Sequence, residues 1–309
     1  MSNDLNSQAE TQVPNQVAPI SFSDNLPTTE EYKLERAEFI KQEFNRAVGF
    51  MSLMLHMGKH NNEMIGYKFT LEGIERTLIL DNQLLKIFAY IYLHGIFASR
   101  TVLASSPIKI NPKLIEDFHM PAKPLEGNAG FCQIISNPNG TIQRINISCN
   151  IHNILSTLIK ENSDYCKALA DKQEREYNDG TISSARRSLL DMFKPGYIPD
   201  TFTEEDMRGI NLDEVISETE GIMAHETAHA LLIAYKWEDP IEKSKLDKSF
   251  QAGNQLRAAI AQGGLTPEIA EKHNQDPFEK RANLWMMNFL RKYHPNSKYY
   301  LNREANAAA

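Results

Sequence analysis

Residues 222–232 read Ile-Met-Ala-His-Glu-Thr-Ala-His-Ala-Leu-Leu, and they set narrow limits on what this chain can fold into. The run is apolar on both sides of His225, Glu226 and His229, and neither Gly nor Pro breaks it. That pattern predicts a helix. On an α-helix the side chains at i and i+4 project from one face, one turn apart. His225 and His229 can therefore share a single ion, and neutral imidazole binds zinc at about 2.0–2.1 Å. Glu226 lies about 100° around the helix from His225. It sits beside the open metal position, where a carboxylate can take a proton from a metal-bound water. The chain has nine histidines and forty acidic residues in 309. At that composition a chance His-acid-x-x-His is expected on the order of a few hundredths of a time. A helix that carries two unrelated histidines is the weaker reading.

Two histidines leave a catalytic zinc one protein ligand short. The pattern H-E-x-x-H-x-x-G-x-x-H is absent, because Leu232 and Tyr235 hold its Gly and His positions. The best downstream carboxylate is Glu279, in Asp276-Pro277-Phe278-Glu279-Lys280-Arg281-Ala282-Asn283. Asp276 suits an N-cap and Pro277 the first helical position. Phe278, Ala282, Trp285, Met286, Phe289, Leu290 and Tyr293 then form an apolar stripe. Glu279 and Asn283 stand four apart on its edge. Glu279 can supply the third ligand, and Asn283 can hydrogen-bond a metal-bound imidazole from behind. Glu279 is also three residues after Asp276, which is capping-box spacing. The ligand reading is preferred because the histidines need a third partner, and Asp276 is the reserve ligand. Ala282 is small where two helices must approach.

His225-Glu226-Thr227-Ala228-His229 followed by Glu279-x-x-Ala282-Asn283 resembles the gluzincin pattern of zinc metallopeptidases. The E-x-x-A-N form before an apolar helix is most similar to the ImmA/IrrE-like peptidases. The resemblance covers roughly residues 212–293, and its specificity lies in the motifs. It implies that His225, His229 and Glu279 hold one zinc per chain and that Glu226 is the general base. It implies an α+β, zincin-like fold, mostly helical, with a small antiparallel sheet packed on the H-E-x-x-H helix. It also implies an edge strand that holds an extended peptide. The two motifs lie 50 residues apart, farther than in compact ImmA-like members. No helix-turn-helix signature accompanies them.

The rest of the chain supplies the scaffold. Residues 1–27 are polar and aperiodic, and are expected to be a disordered tail without a Sec signal peptide. Thr28 and Glu31 have capping-box spacing at the start of a helix. Ala37, Ile40, Phe44, Ala47, Val48, Met51 and Leu55 follow at helical intervals. His56 and His60, four apart beside Gly58, read as exposed or capping. Leu80, Leu84, Ile87, Phe88, Ile91 and Gly95 fit a buried helix, although residues 87–93 are aromatic and branched enough for a strand. The longest apolar run, residues 87–99, is thirteen residues. That is short of the ~20 that span a bilayer, and the run reads as core. Residues 107–112 read as an extended piece closed by prolines.

Residues 131–136 and 141–149 flank Asn137-Pro138-Asn139-Gly140, a strong hairpin signal. A two-residue turn at Asn139-Gly140 pairs Pro138 with Thr141, Ile134 with Ile145 and Cys132 with Ile147. Cys132, Ile134, Ile145, Ile147 and Cys149 then share a core face, and Gln133, Asn146 and Ser148 share the other. Residues 151–178 and 183–193 read as helices. Asn211 and Glu214 look like a cap and its box partner for the His-bearing helix, which runs from 212 to 237 or breaks before Glu218. The expected organisation is a tail over 1–27, a helical subdomain over 28–105, a metallopeptidase domain over 106–303 and a tail over 304–309.

The charge of −7 argues against a nucleic-acid or anionic-membrane binder. Three cysteines are too few for a disulfide framework and fit a reducing compartment. The expectation is a cytoplasmic endopeptidase, or an effector secreted by a signal-less route, acting on a protein or peptide substrate. The competing expectation is a non-enzymatic interaction or regulatory protein with a structural or vestigial zinc site. The intact Glu226 speaks against it. Tyr197, Tyr235, His273 and His294 stand as candidate oxyanion stabilisers, and the sequence ranks none above the others.

Overall fold

The computed structural model describes residues 25–57, 66–71, 73–79, 82–118, 129–178, 209–264 and 266–308. These residues form a mostly helical α+β fold with a small sheet. The helix expected over 183–193, His60 and Tyr197 lie outside the described residues.

Helix α1 (Thr29–Met57) opens on the expected capping box. The Thr28 Oγ1 accepts the Glu31 amide, and the Glu31 carboxylate accepts the Thr28 amide. Helix α2 (Asn82–Ser105) resolves the choice between helix and strand at 87–93. Leu84, Leu85, Ile87, Phe88, Ala89, Ile91, Tyr92 and Leu93 are all buried. They surround the helix axis rather than alternating, so no two-residue period is imposed. The stretch Gln83–Ser105 is long and apolar enough to cross a membrane by composition, but 78% of that window is buried within the fold. It packs between α1 and the central helix α5 (Asp213–Lys236). Gly95 permits that approach: a Cβ there would lie 2.8 Å from Met223 Cγ and 3.0 Å from Thr219 Cγ2. Helix α2 ends at Ser105, and the core runs across that point, joining α1 and α2 to residues 145–149 and to α5.

Two sheets are present among the described residues. Strands β1 (Gly66–Leu71) and β2 (Ile74–Ile79) form a hairpin that the sequence reading missed. Gly73 takes φ +78° at its turn, a conformation that costs glycine little. The second sheet has the order β3-β5-β4, with β3 (Ile115–Glu116) parallel to β5 (Ile142–Cys149) and β4 (Gly130–Ser136) antiparallel to it.

The expected β4–β5 register holds at Cys132–Ile147 and Ile134–Ile145. The turn differs. The Gly140 amide donates to Asn137 O, Gly140 takes φ +82°, and Asn137 pairs with Thr141. A bulge after Ile135 absorbs the extra residue. The mixture of core and polar faces also differs, because Asn146 and Ser148 are buried as fully as Ile145 and Ile147. β5 is the central strand, and Tyr92 of α2 brings its hydroxyl within 3.5 Å of Ser148 Oγ.

The helix expected over 151–178 is two helices, α3 (Ile151–Glu161) and α4 (Ser163–Asn178). Asn162 breaks them at φ −135°. Its amide group accepts from Asn211 N at 2.6 Å and donates to Asn211 O at 2.8 Å, fixing the entry to α5. Helix α5 is continuous through Glu218. Asn211 accepts the Asp213 amide, but Glu214 does not close a box. Its carboxylate accepts the amides of Lys298 and Tyr299 instead, capping α9 (Lys298–Ala308). Residues 304–308, expected to be part of a tail, continue that helix.

Helices α6 (Pro240–Ala261) and α7 (Pro267–Asn274) fill the interval between the two motifs. Helix α8 (Pro277–Tyr293) returns along α5. Ala224, Ala228 and Ala282 are fully buried in their shared core, where small side chains let the helices close together. Ala282, Trp285, Met286, Phe289, Leu290 and Tyr293 are buried as the stripe required.

Candidate metal centre

Helices α5 and α8 bring the predicted residues together. His225 Nε2 lies 3.0 Å from His229 Nε2. Glu279 Oε2 lies 3.3 Å from His225 Nε2, and Glu279 Oε1 lies 3.2 Å from His229 Nε2. Three ligands about 2.0–2.1 Å from a tetrahedral ion stand about 3.3 Å apart. These separations are near that spacing, with each imidazole facing a different oxygen of Glu279, and the donors are two imidazole nitrogens and a carboxylate, a set zinc favours. Among the described residues this is the one such group of three.

The local reasons are plain. His225 and His229 are one turn apart on an unbroken helix. Thr227, on the opposite side, donates to Met223 O and contacts Ser99 Oγ of α2 at 2.9 Å, holding the helix rotation. At α8, Asp276 and not Glu279 is the cap: Asp276 Oδ1 accepts the Phe278 amide at 2.7 Å. It also accepts Ser249 Oγ of α6 at 2.7 Å. Those two roles occupy the reserve ligand and leave Glu279 turned toward the histidines. The Phe278 ring stacks on the His229 imidazole at 5.6 Å and 14°.

Burial and neighbouring charge set the protonation states. Burial pulls the His225 imidazole down to about 4, and His229 beside it adds to the fall. Burial also opposes charge on His229, but the hydrogen bond and charge of Glu279 outweigh it and raise its pKa. Burial would raise the Glu279 carboxyl, and the two imidazoles overcome this and hold it well below the usual carboxylate range. His225 Nδ1 is buried without a hydrogen-bond partner. Asn283 is half-buried one turn past Glu279 and makes no hydrogen bond to either imidazole.

Glu226 lines the same pocket, which also takes in Gly130, Phe131 and Cys132 of β4 and His273 of α7. Gly130 sets how close β4 comes. A Cβ there would lie 2.5 Å from Ile222 Cγ2 and 2.9 Å from Glu226 Oε1, so only glycine lets the edge strand pass the carboxylate. The oxyanion candidates separate. His273 Nε2 lies 3.6 Å from Glu279 Oε1 and faces the pocket. Tyr235 is 67% exposed and does not line it. His294 contacts Glu220 at 2.7 Å instead.

Glu220 itself was missed. It is fully buried on α5 and receives Tyr32 Oη at 2.7 Å and Arg36 at 2.8 Å, with His94 Nδ1 at 2.9 Å. Burial would raise its carboxyl, and His294, His94 and Arg36 together hold it well below the ordinary value. The signals were an acid within the buried segment 215–224 and His94 interrupting the apolar run of α2. The Ser249, Phe250, Gly253 and Leu256 wall, supplied by α6, was also missed. No protein-family model matches this chain, and no curated protein or solved structure is significantly similar to it.

Proposed function

We propose that this chain is a zinc-dependent peptidase with a zincin-like arrangement, using His225, His229 and Glu279 to hold one zinc and Glu226 as general base. The observation that carries the reading is the approach of His225 Nε2, His229 Nε2 and the Glu279 carboxylate to within 3.0–3.3 Å of one another, in a pocket that Glu226 also lines. A bound zinc supplies a Lewis acid for a scissile carbonyl and lowers the pKa of a water toward about 7.

The chain's own residues supply the remainder. Glu226 receives a proton at its carboxylate and can return it to a departing amine. Strand β4 is an edge strand whose Gly130 end passes Glu226, so an extended peptide paired along it is delivered to that carboxylate. His273, from the opposite wall, is the ring best set to donate to developing negative charge. A purely structural site has no use for Glu226 beside the ligands.

The test is zinc titration together with Glu226→Gln. Zinc binds near 1:1 and binding is lost in His225→Ala and His229→Ala. Glu226→Gln keeps zinc and fold, and cuts peptide hydrolysis by about 10²–10⁴-fold. Full zinc occupancy in the double histidine variant, or unchanged hydrolysis by Glu226→Gln, sinks the reading.

A further inference from the structure

Helices α6 and α7 form a hairpin over residues 240–275 that supplies one wall of the metal pocket. We infer that this hairpin is a lid, which swings away as one body to admit an extended peptide and returns to complete the pocket. Its purpose rests on the peptidase reading. Its motion rests on burial and on the way the hairpin is joined to the rest of the chain.

Three observations carry it. The first is burial. Among the described side chains from 240 to 275, only Leu246 is buried. Helix α5 is buried along most of its length, and α8 along its stripe from Ala282 to Tyr293. A segment with so little apolar burial opens at lower cost than the core beside it. Helices α6 and α7 pack chiefly on each other, so they move together.

The second is the pair of joints. The hairpin begins at Asp239-Pro240 and is followed by Asp276-Pro277. At each joint the Asp carboxylate caps the next helix. Asp239 Oδ1 accepts the Ile241 and Glu242 amides at 2.8 and 3.1 Å. Asp276 Oδ1 accepts the Phe278 amide at 2.7 Å. Proline has no amide to donate, so the run of helical hydrogen bonds is interrupted at both points. The chain can turn there while α5 and α8, which carry the three proposed ligands, keep their own hydrogen bonds.

The third is what the hairpin encloses. Ser249, Phe250, Gly253, Leu256 and His273 line the pocket together with Gly130, Phe131 and Cys132 of β4. With the hairpin in place the pocket has a volume of about 150 Å³. Clefts that take a whole ligand have roughly 300–1,000 Å³. There is room for a side chain and none for a run of peptide, so a chain laid along β4 needs this wall to give way.

The closed position is held lightly. Leu246 enters the main core, and Phe250 packs against the same cluster. Ser249 Oγ donates to Asp276 at 2.7 Å, and His273 Nε2 lies 3.6 Å from Glu279 Oε1. Exposing one leucine and breaking one charge-assisted hydrogen bond leaves roughly one molecule in 10²–10⁴ open. Lids of this kind move on the μs–ms timescale.

The experiment has two arms, both on the full chain. In the first, Leu246→Cys is exposed to N-ethylmaleimide and labelling is followed peptide by peptide. The introduced thiol is expected to react at least tenfold faster than Cys166, which is fully buried in the core and reports global unfolding. Equal rates at the two thiols overturn the lid. In the second, Ser249→Cys with Asp276→Cys is oxidised to fasten α6 to the start of α8, and is compared with itself after reduction. Both forms are loaded with zinc and mixed with acetohydroxamate or with N-acetyl-trialanine hydroxamate, an extended peptide ending in a zinc-binding group. Fastening is expected to slow association of the peptide compound at least tenfold and to change that of acetohydroxamate less than about twofold. Equal association of the peptide compound in the two forms overturns the lid while the zinc site stands. If neither compound binds wild-type protein after loading, the peptidase reading falls and takes the lid's purpose with it, and the labelling arm still decides whether the hairpin opens.

Discussion

Asp276 and Glu279 occupy the two positions of a capping box, yet in the structure they do different jobs, and the difference can be measured on neighbouring residues. Asp276 accepts the Phe278 amide and Ser249 Oγ. Glu279 faces two imidazoles at 3.2 and 3.3 Å. Asp276→Ala removes an N-cap, which costs about 0.5–2 kcal/mol, together with one hydrogen bond to α6. Glu279→Ala removes one of the three proposed ligands. With free zinc at one hundred times the wild-type Kd, binding to the folded state alone adds about 2.7 kcal/mol. At roughly 2–4 °C per kcal/mol for a chain approaching this size, chelator should lower the wild-type melting temperature by roughly 5–11 °C. Asp276→Ala should melt lower than wild type both with and without chelator, and keep the gap between the two curves. Glu279→Ala should lose most of the gap at the same zinc concentration. The assay is paired thermal melts, with zinc titration on the same preparations. If Glu279→Ala keeps the full gap, Glu279 is not a ligand. If Asp276→Ala closes it, the carboxylates have been assigned the wrong way round.

Three further outcomes follow from the geometry. Glu220→Ala strands Arg36 and two histidines around an empty place in the core, and should cost about 3–5 kcal/mol, read from the urea midpoint; a change under about 1 kcal/mol refutes the anchoring role. Gly130→Ala drives a methyl into Ile222 and Glu226, so it should lower hydrolysis more than it lowers zinc affinity, and an unchanged kcat/KM counts against the close passage of β4. Burial lowers the pKa of His94 despite its contact with Glu220, so the unfolded chain takes up that proton first as pH falls through about 6.5. The Glu220 carboxyl is depressed, so its contribution is complete above about 4.5 and is lost below it. In chelator, stability should therefore fall from pH 7 toward pH 5 and then more steeply. A urea midpoint that is flat over that range, or the same slope in His94→Asn, contradicts this.

The sequence was most legible where a single short period decided the outcome. The i,i+4 histidines, the Asp276-Pro277 start and the apolar stripe of α8 all follow from helix geometry, and the structure sets them as those periods require. The β4–β5 register also followed, because a one-residue slip would exchange Ile145 and Ile147 with the polar Asn146 and Ser148 on the other face of β5. The turn was misread because Asn-Gly fits both a two-residue turn and a type I turn closed by a left-handed glycine. The β1–β2 hairpin was missed although Phe69, Leu71, Arg76 and Leu78 alternate around Gly73. Capping was illegible wherever a side chain served a distant helix, as Glu214 does for α9. The Glu220 cluster joins residues 32, 36, 94 and 294, and no local pattern can announce a contact of that sequence separation. For the same reason the α6 wall of the pocket could not be read from its own segment.

Helix α5 carries Glu220 and His225 five residues apart, and five steps of about 100° place them roughly 140° apart around the axis. The helix is therefore gripped from behind by α1, α2 and His294 while its front presents the histidines. Adding or deleting one residue between Glu220 and His229 would turn one group against the other by about 100° and slide it about 1.5 Å. Either the buried carboxylate or the pair of imidazoles would then miss its partners. The interval between His229 and Glu279 has no such phase relation, since α6 and α7 are separate helices joined by turns. Length can change there at modest cost. This chain can thus remodel the wall of its site by insertion and deletion, but between Glu220 and His229 only by substitution.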